Sequence, residues 1–276
     1  MNNLLGVMQG RLLPKYNGRY QAHPVNYWQE EFKIASNLGL DCIEFILDFN
    51  EANENPLLTK DGIDEINLIS QEYGVHVKTI CADYFMEAPL HSVDKNVSKE
   101  SQKIMAILLE NAKNLGVQDI VIPCVDQSSL ESISSVNRFI KNLSPLLEIA
   151  SEYQINLSLE TDLNPKSFLK LINRFGCKNL TVNYDIGNSA SLGYNCVEEL
   201  DTYGHKISDI HIKDRLLNGG PVILGEGNAN FDIFFNKLCE FDYQGPFIMQ
   251  AYRDDQGIDV FKKQMGWVKE FFKFIK

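Results

Sequence analysis

Residues 209–214 read Asp-Ile-His-Ile-Lys-Asp, and this stretch decides the fold. Side chains alternate along a strand, so Asp209, His211 and Lys213 lie on one face and the two isoleucines on the other. A polar group inside a sheet costs about 2 to 7 kcal/mol unless a partner satisfies it. The histidine therefore needs either a hydrogen bond in the core or a metal ion, which binds neutral imidazole.

Three other predicted strands alternate in the same way, and each ends in a polar side chain. They cover residues 156–160, 181–185 and 246–250 and end in Glu160, Asp185 and Gln250. Together with His211, these residues bring oxygen and nitrogen donors, without a thiolate, to one rim. This donor set suits Mn, Mg, Co or Zn rather than a structural zinc cage.

Strands and helices alternate eight times along the chain. The predicted strands cover residues 4–9, 41–47, 75–81, 118–123, 156–160, 181–185, 209–214 and 246–250. The predicted helices cover residues 27–38, 62–73, 98–115, 132–153 (with a possible break at Pro145), 165–175, 197–203, 231–241 and 260–275. This pattern predicts an α/β protein, a single (β/α)8 TIM barrel that occupies residues 1–276 as one domain.

An open doubly wound sheet is the competing architecture. No strand is followed by the Gly-x-Gly-x-x-Gly fingerprint of dinucleotide-binding sheets of that kind. In a barrel, the active site is built from the C-terminal ends of the strands, where the four polar residues fall. The strand pattern and the donor chemistry thus favour the same fold.

The composition indicates a globular, acidic protein. Of the 276 residues, 44% are apolar and 11% aromatic, and the net charge is −11. Such a charge repels phosphate backbones, so we expect no nucleic-acid partner. The six cysteines form no CxxC pair, which predicts free thiols in a reducing cytosol. Because the first residues contain neither a basic region nor a long apolar run, we expect a cytoplasmic protein without signal peptide or membrane span.

Six short motifs, taken in order, resemble the xylose isomerase-like TIM-barrel superfamily, specifically its sugar and sugar-phosphate isomerases and epimerases. The motifs are Ile-Glu-Phe at 43–45, Leu-Glu at 159–160, Asp-Ile-Gly-Asn at 185–188, His-Ile-Lys-Asp at 211–214, Gly-Glu-Gly at 225–227 and Tyr-Gln-Gly-Pro-Phe-Ile at 243–248. Each motif is short, but their order and spacing span the whole chain. The resemblance implies a sugar or sugar phosphate as the small-molecule partner and a homodimer as a common assembly.

The resemblance also implies one divalent metal ion, held by Glu160, Asp185, His211 and a glutamate on strand eight. This chain has Gln250 at the fourth position. A glutamine oxygen can coordinate a hard cation, but the amide cannot take up a proton at useful pH. In the family's epimerases the carboxylates of strands five and eight act as a pair of acid/base groups, so one of that pair is absent here.

Glu160 is the expected catalytic base. Removing a proton next to a carbonyl needs a positioned base and a positive charge that stabilises the enediolate. One carboxylate suffices for aldose–ketose isomerisation, whereas an epimerase normally returns the proton from the opposite face. Gln250 therefore favours one-base isomerisation, or dehydration of a keto-sugar or keto-cyclitol, over two-base epimerisation.

Two other classes of protein compete with the isomerase/epimerase interpretation. A phosphodiester hydrolase of the same superfamily would need a multi-metal cluster, and five histidines with only His211 at a site are too few. A catalytically impaired sugar-binding barrel would explain the loss of one carboxylate. Retention of Glu160, Asp185 and His211 speaks against that alternative.

Further candidates surround the predicted site. Lys213 could act on a substrate oxygen as a catalytic residue, or pair with Glu44 or Asp209 inside the barrel. Arg215 could clamp a hydroxyl or phosphate, or form a salt bridge at the rim. The glycines around Glu226 could offer backbone N–H groups to an anion. Asp83 and His91, also candidate substrate-binding residues, could supply a second acid or base, with structural capping as the alternative. The remaining candidate substrate-binding residues, each with a structural alternative, are Gln9, Arg11, Glu44 and Asn188.

Overall fold

A computed structural model describes residues 3–255 and 257–272 of the chain as a closed barrel of eight parallel strands. Each strand pairs with its neighbours in sequence, and the last strand closes on the first. The strands are β1 (Leu5–Met8), β2 (Cys42–Ile46), β3 (His76–Cys81), β4 (Asp119–Cys124), β5 (Asn156–Thr161), β6 (Leu180–Asp185), β7 (Ile207–Ile212) and β8 (Phe247–Met249). The predicted (β/α)8 TIM barrel is confirmed.

Helices surround the barrel, and glycines in the left-handed conformation end several of them. The helices are α1 (Glu30–Leu38), α2 (Lys60–Tyr73), α3 (Tyr84–Glu87), α4 (Lys95–Leu115), α5 (Ile133–Tyr153), α6 (Pro165–Asn173), α7 (Ile186–Leu192), α8 (Cys196–Tyr203), α9 (Phe231–Leu238) and α10 (Asp259–Phe272). Gly39, Gly74 and Gly116 follow α1, α2 and α4 with positive φ, which glycine adopts without steric cost. None of the helices among the described residues combines the length and the apolar character that a bilayer crossing requires.

Several helices differ from the sequence prediction. α5 runs without a break across Pro145, so the expected interruption is wrong. Two short helices, α3 and α7, were not predicted, because each is a single or double turn that follows directly after a strand. The final helix was expected to reach residue 275, and residues 273–275 lie outside the described part of the chain.

The barrel interior is apolar on one side and polar on the other. One buried cluster inside the barrel consists of Met8, Cys42, Ile46, Cys81, Val121 and Ile248. The larger apolar core lies on the other face of the strands, against the helices. Outward-facing apolar residues thus hold the helices, while buried polar side chains such as Ser158, Asn183 and Asp209 occupy inward-facing positions on β5 to β7.

A β-bulge sets the register between β6 and β7. Val182 pairs with Ile207 and Asn183 with Asp209, so Ser208 is an extra residue on β7. After the bulge, Asp185 pairs directly with His211. Residues paired across parallel strands point to the same face, so the bulge brings these two side chains together at the rim.

Candidate active site

Glu160, Asp185 and His211 converge at the C-terminal ends of neighbouring strands β5, β6 and β7. Each offers one ligand atom, and the three atoms lie within 4.8 Å of one another. All three residues are buried, His211 fully. Three buried groups of this kind, two of them acidic, can hold a divalent cation.

A buried carboxylate orients His211. Its Nε2 lies 2.8 Å from Oε1 of Glu44 on β2, while Nδ1 has no hydrogen-bond partner in the described part of the chain and lies 4.0 Å from Asp185 Oδ2. Burial alone would lower the pKa of His211, but the charges of Glu44, Glu160 and Asp185 raise it to about 9. A cation at Nδ1 would therefore replace a proton. Glu44 is placed beneath the site as the partner of His211 and does not line the cavity described below.

Removing the charge of Glu44 is expected to weaken metal binding. A ligating histidine usually donates its other ring N–H to a carboxylate, and losing such a partner costs about 10- to 100-fold in metal affinity. Glu44→Gln should show that loss when Mn binding is measured by titration calorimetry. Glu152→Gln, which makes the same chemical change on the exposed face of α5, should retain wild-type affinity. Equal affinities for both variants would contradict this role of Glu44.

The orientation of Gln250 follows from a chain of hydrogen bonds. The Arg11 guanidinium donates to Gln21 Oε1 at 3.1 Å, and Gln250 Nε2 donates to the same oxygen at 2.7 Å. Gln21 Nε2 in turn donates to Asp83 Oδ2 at 3.1 Å. Because Arg11 can only donate, the Gln21 oxygen must face it, and Gln250 must present its NH2 group.

This orientation leaves Gln250 Oε1 as the atom that needs a partner. Oε1 is buried and has no hydrogen-bond partner within the described residues. His211 Nδ1 likewise has no hydrogen-bond partner among the described residues, so both atoms are available to a cation at the rim. An amide oxygen is a suitable donor for a hard cation, and the residues present thus fit a divalent metal ion.

A cavity of about 240 Å³ opens at this rim. Its walls include two basic side chains, four acidic ones and both glutamines of the hydrogen-bond chain: Lys213, Arg215, Asp83, Asp126, Glu160, Asp162, Gln21 and Gln250. Asn188, Ser191, Leu192 and Met86 complete much of the lining. The size and polarity of the walls suit a small polar molecule.

Helix α7 places Asn188 beside Glu160. Asp185 caps this helix by accepting a hydrogen bond from Asn188 N at 2.8 Å. The Asn188 side chain donates to Glu160 Oε1 and accepts from Arg215 Nη1 at 2.7 Å. Gly187 lies in this helix, and a side chain there would collide with Lys213. The capping residue Asp185 was the sequence signal that could have predicted α7.

Glu160 has the proton affinity expected of a base near neutral pH. Burial, followed by the negative charge of Asp185, raises the pKa of Glu160 to about 7. A general base is most effective when its pKa lies near the working pH. Glu160 can therefore either hold or release a proton while it faces the cavity.

Lys213 and Arg215 bring positive charge to the cavity. Lys213 Nζ lies 3.4 Å from Asp185 Oδ2, so its carboxylate partner is neither Glu44 nor Asp209. Arg215 donates through Nε to Gly219 O at 3.0 Å, in addition to its bond with Asn188. These bonds hold the arginine across the cavity wall, where part of its guanidinium remains available for a ligand.

Four other predicted site residues lie away from the cavity walls. Gln9 is fully buried and accepts from Ile46 N at 2.9 Å, and Arg11 contacts the site only through Gln21. His91 packs against the ring of Phe139, with ring centroids 5.9 Å apart. Glu226 is exposed on a loop. Conversely, the sequence analysis missed Gln21, which belongs to the long loop after β1.

The backbone N–H groups around Glu226 already have an anionic partner in the protein. Gly225 N and Gly227 N donate to Oδ2 of Asp214, and Ala229 N and Arg215 N donate to its Oδ1, all at 2.9 to 3.0 Å. A side chain at Gly227 would collide with the Asp214 carboxylate. The prediction that this turn offers its N–H groups to an external anion is therefore wrong.

The fold and the rim define a TIM-barrel protein with two carboxylates and a histidine, a group that could hold a metal ion, at the C-terminal ends of its strands. The chain belongs to the xylose isomerase-like TIM barrel family, whose family model matches residues 32–271.

Characterised relatives and solved structures extend over nearly the whole chain. The chain is 27% identical over 258 residues to L-ribulose-5-phosphate 3-epimerase UlaE of Shigella flexneri, covering 88% of this chain and 89% of that protein. Its fold is similar to that of D-psicose 3-epimerase with D-tagatose from Clostridium cellulolyticum H10, with TM-score 0.76, 15% identity and 99% of both chains covered. It is also similar to a xylose isomerase-like TIM barrel protein from Mycobacterium smegmatis in complex with magnesium, with TM-score 0.72, 17% identity and coverage of 98% and 96%.

Proposed function

We propose that this chain is a divalent-metal-dependent sugar epimerase that inverts a carbon next to the carbonyl of a small ketose or ketose phosphate. The observation that carries the proposal is the convergence of Glu160, Asp185 and His211 at the rim, with ligand atoms within 4.8 Å of one another. The Shigella relative is named as a 3-epimerase, which supports the enzyme class and suggests carbon 3 as the reacting carbon.

The residues of the chain divide the work among binding, proton transfer and charge. Glu160, Asp185, His211 and Gln250 would hold the metal ion. When bound, a divalent cation supplies positive charge that stabilises negative charge on the substrate's oxygens. Glu160 takes the proton from the carbon beside the carbonyl, because its carboxylate is part of the cavity wall. Lys213 and Arg215 bind a hydroxyl or phosphate oxygen of the substrate.

One observation favours a second candidate function, the isomerisation of an aldose to a ketose. Gln250 cannot carry a proton, and isomerisation needs only one base. The two functions differ in their products, since an epimerase gives a second ketose and an isomerase gives an aldose. Chromatography of the products formed from L-ribulose 5-phosphate distinguishes the two functions. An aldose phosphate as the product would show isomerisation instead of epimerisation.

Removal of the metal is expected to abolish epimerisation. Without a cation, the site lacks the positive charge that would stabilise the enediolate. After chelation and dialysis, turnover of L-ribulose 5-phosphate, D-psicose and D-tagatose should fall at least about 100-fold and return when Mn, Mg, Co or Zn is added. Full turnover by protein that contains no metal would contradict the proposal.

A further inference from the structure

The absence of a carboxylate at residue 250 leaves a two-base epimerase with only one evident base. The cavity wall contains another carboxylate, that of the half-buried Asp83. Asp83 follows β3, lines the cavity, and is joined to Gln250 through Gln21. The hydrogen-bond chain Gln250–Gln21–Asp83 thus links residue 250, whose amide cannot carry a proton, to Asp83, whose carboxyl group can.

Asp83 and Glu160 reach the cavity from different strands. Glu160 lies near the end of β5, whereas Asp83 follows β3, and β4 lies between these two strands in the ring. Asp83 is linked to Gln250, which follows β8, through Gln21 in the loop after β1. A substrate in the cavity would thus have two carboxyl groups in the cavity wall, and epimerisation requires two proton-transfer groups on opposite faces of one carbon.

From this geometry we propose that Asp83 is the second proton-transfer residue of the epimerase, acting on the face of the substrate opposite Glu160. The inference rests on the proposed function. For one epimer, the carboxylate of Glu160 takes the carbon-bound proton, and the electrons of the C–H bond form the enediolate. The carboxylic acid of Asp83 then gives its proton to the same carbon, and the enediolate electrons form the new C–H bond. Glu160 finishes protonated and Asp83 ionised, and exchange with water resets both.

The surroundings of Asp83 suit an acid that donates and recovers a proton. Its Oδ2 accepts from Gln21 and its Oδ1 from the thiol of Cys81 at 3.2 Å, so both oxygens are held in place. Burial raises the pKa of Asp83, while the hydrogen bonds from Cys81 and Gln21 act in the opposite direction. The cavity wall also contains Asp126, Asp162 and Lys213, but the hydrogen-bond chain from Gln250 leads to Asp83.

Solvent exchange tests this assignment, because a two-base enzyme with one base removed acts on one epimer only. Mn-loaded Asp83→Asn is incubated in D2O with L-ribulose 5-phosphate and, separately, with its carbon-3 epimer, and proton NMR follows carbon 3. Inversion should fall at least about 100-fold, while Glu160 still exchanges the proton of one epimer and leaves the other unlabelled. Asp83→Glu, which keeps a carboxyl group, should regain part of the inversion.

Asp64→Asn is the matched control. Asp64 lies on the exposed face of α2, away from the cavity walls. This variant should invert and exchange both epimers like the wild type. Circular dichroism and Mn content show whether each variant is folded and contains Mn. If Asp83→Asn does not fold or does not bind Mn, the same exchange measurement on Asp83→Glu tests the proposal.

Each outcome decides the proposal. Exchange of one epimer without inversion supports it. Wild-type inversion by Asp83→Asn overturns it, as does equal loss of exchange from both epimers at normal Mn content, which indicates a positioning role. Failure of Asp83→Glu to exceed Asp83→Asn also counts against it. If the wild-type protein itself neither exchanges nor inverts these sugars, the proposed function fails first, and that result is distinct from a wild type that inverts without needing Asp83.

Discussion

Glu160→Gln is expected to lower kcat for epimerisation by about 10³-fold, because the amide cannot accept the carbon-bound proton. The amide oxygen can still coordinate a hard cation, and Asp185 and His211 remain as ligands. The variant should therefore keep about one bound metal ion per chain while turnover is lost. Kinetics with the reconstituted protein and elemental analysis of the same sample measure both properties.

The matched control for this prediction is Glu152→Gln on the exposed face of α5. It makes the same chemical change far from the rim and should retain wild-type turnover and metal content. Undiminished turnover of Glu160→Gln at full metal occupancy would remove Glu160 from its role as base. If the variant loses the metal as well as turnover, the negative charge of Glu160 is instead essential for binding the ion.

The second large effect is expected from Asp214→Ala, which removes the acceptor of four backbone N–H groups. These groups belong to Arg215, Gly225, Gly227 and Ala229. Buried donors left without a partner cost about 1 to 3 kcal/mol each, although water recovers part of that cost. We expect the free energy of unfolding to fall by about 3 kcal/mol, and the Tm by about 6 to 10 °C.

Activity should fall together with stability in Asp214→Ala, because the loop positions Arg215 at the cavity wall. Asp214→Asn keeps one acceptor oxygen and should lie between the alanine variant and the wild type. Asp64→Ala, on the exposed face of α2, should change stability by less than about 0.5 kcal/mol. Thermal unfolding of the three variants checks the order, and a wild-type Tm for Asp214→Ala would disprove the role of its carboxylate.

The barrel could be predicted from the sequence because its signals are local. Alternation along residues 156–160 and 181–185 marks strands directly, and glycines such as Gly39 and Gly74 mark helix ends. The strand ends then fix the candidate ligands, since parallel strands in a barrel deliver their last residues to one rim. Glu160, Asp185 and His211 are brought together in the structure as that reasoning predicts.

What the sequence could not predict depends on contacts between distant segments. Gln21 reaches Asp83 and Gln250 only because the loop after β1 folds across the rim. Asp214 accepts from a loop more than ten residues further along the chain. The bulge at Ser208 cannot be seen in the alternation pattern, because it depends on how β7 pairs with β6. Its one extra residue changes which side chains of the strand face inward. Such closures depend on tertiary structure, which periodicity does not encode.

The central claim is that the rim of Glu160, Asp185, His211 and Gln250 holds a cation and labilises a proton beside a carbonyl. The most direct test is deuterium incorporation from D2O at carbon 3 of L-ribulose 5-phosphate, D-psicose and D-tagatose, measured by proton NMR with protein before chelation, after it, and after Mn is restored. This role of the rim predicts incorporation with inversion for at least one of these sugars, lost on chelation and recovered with Mn. Protein that binds about one Mn per chain yet exchanges no carbon-bound proton in any of them would contradict it.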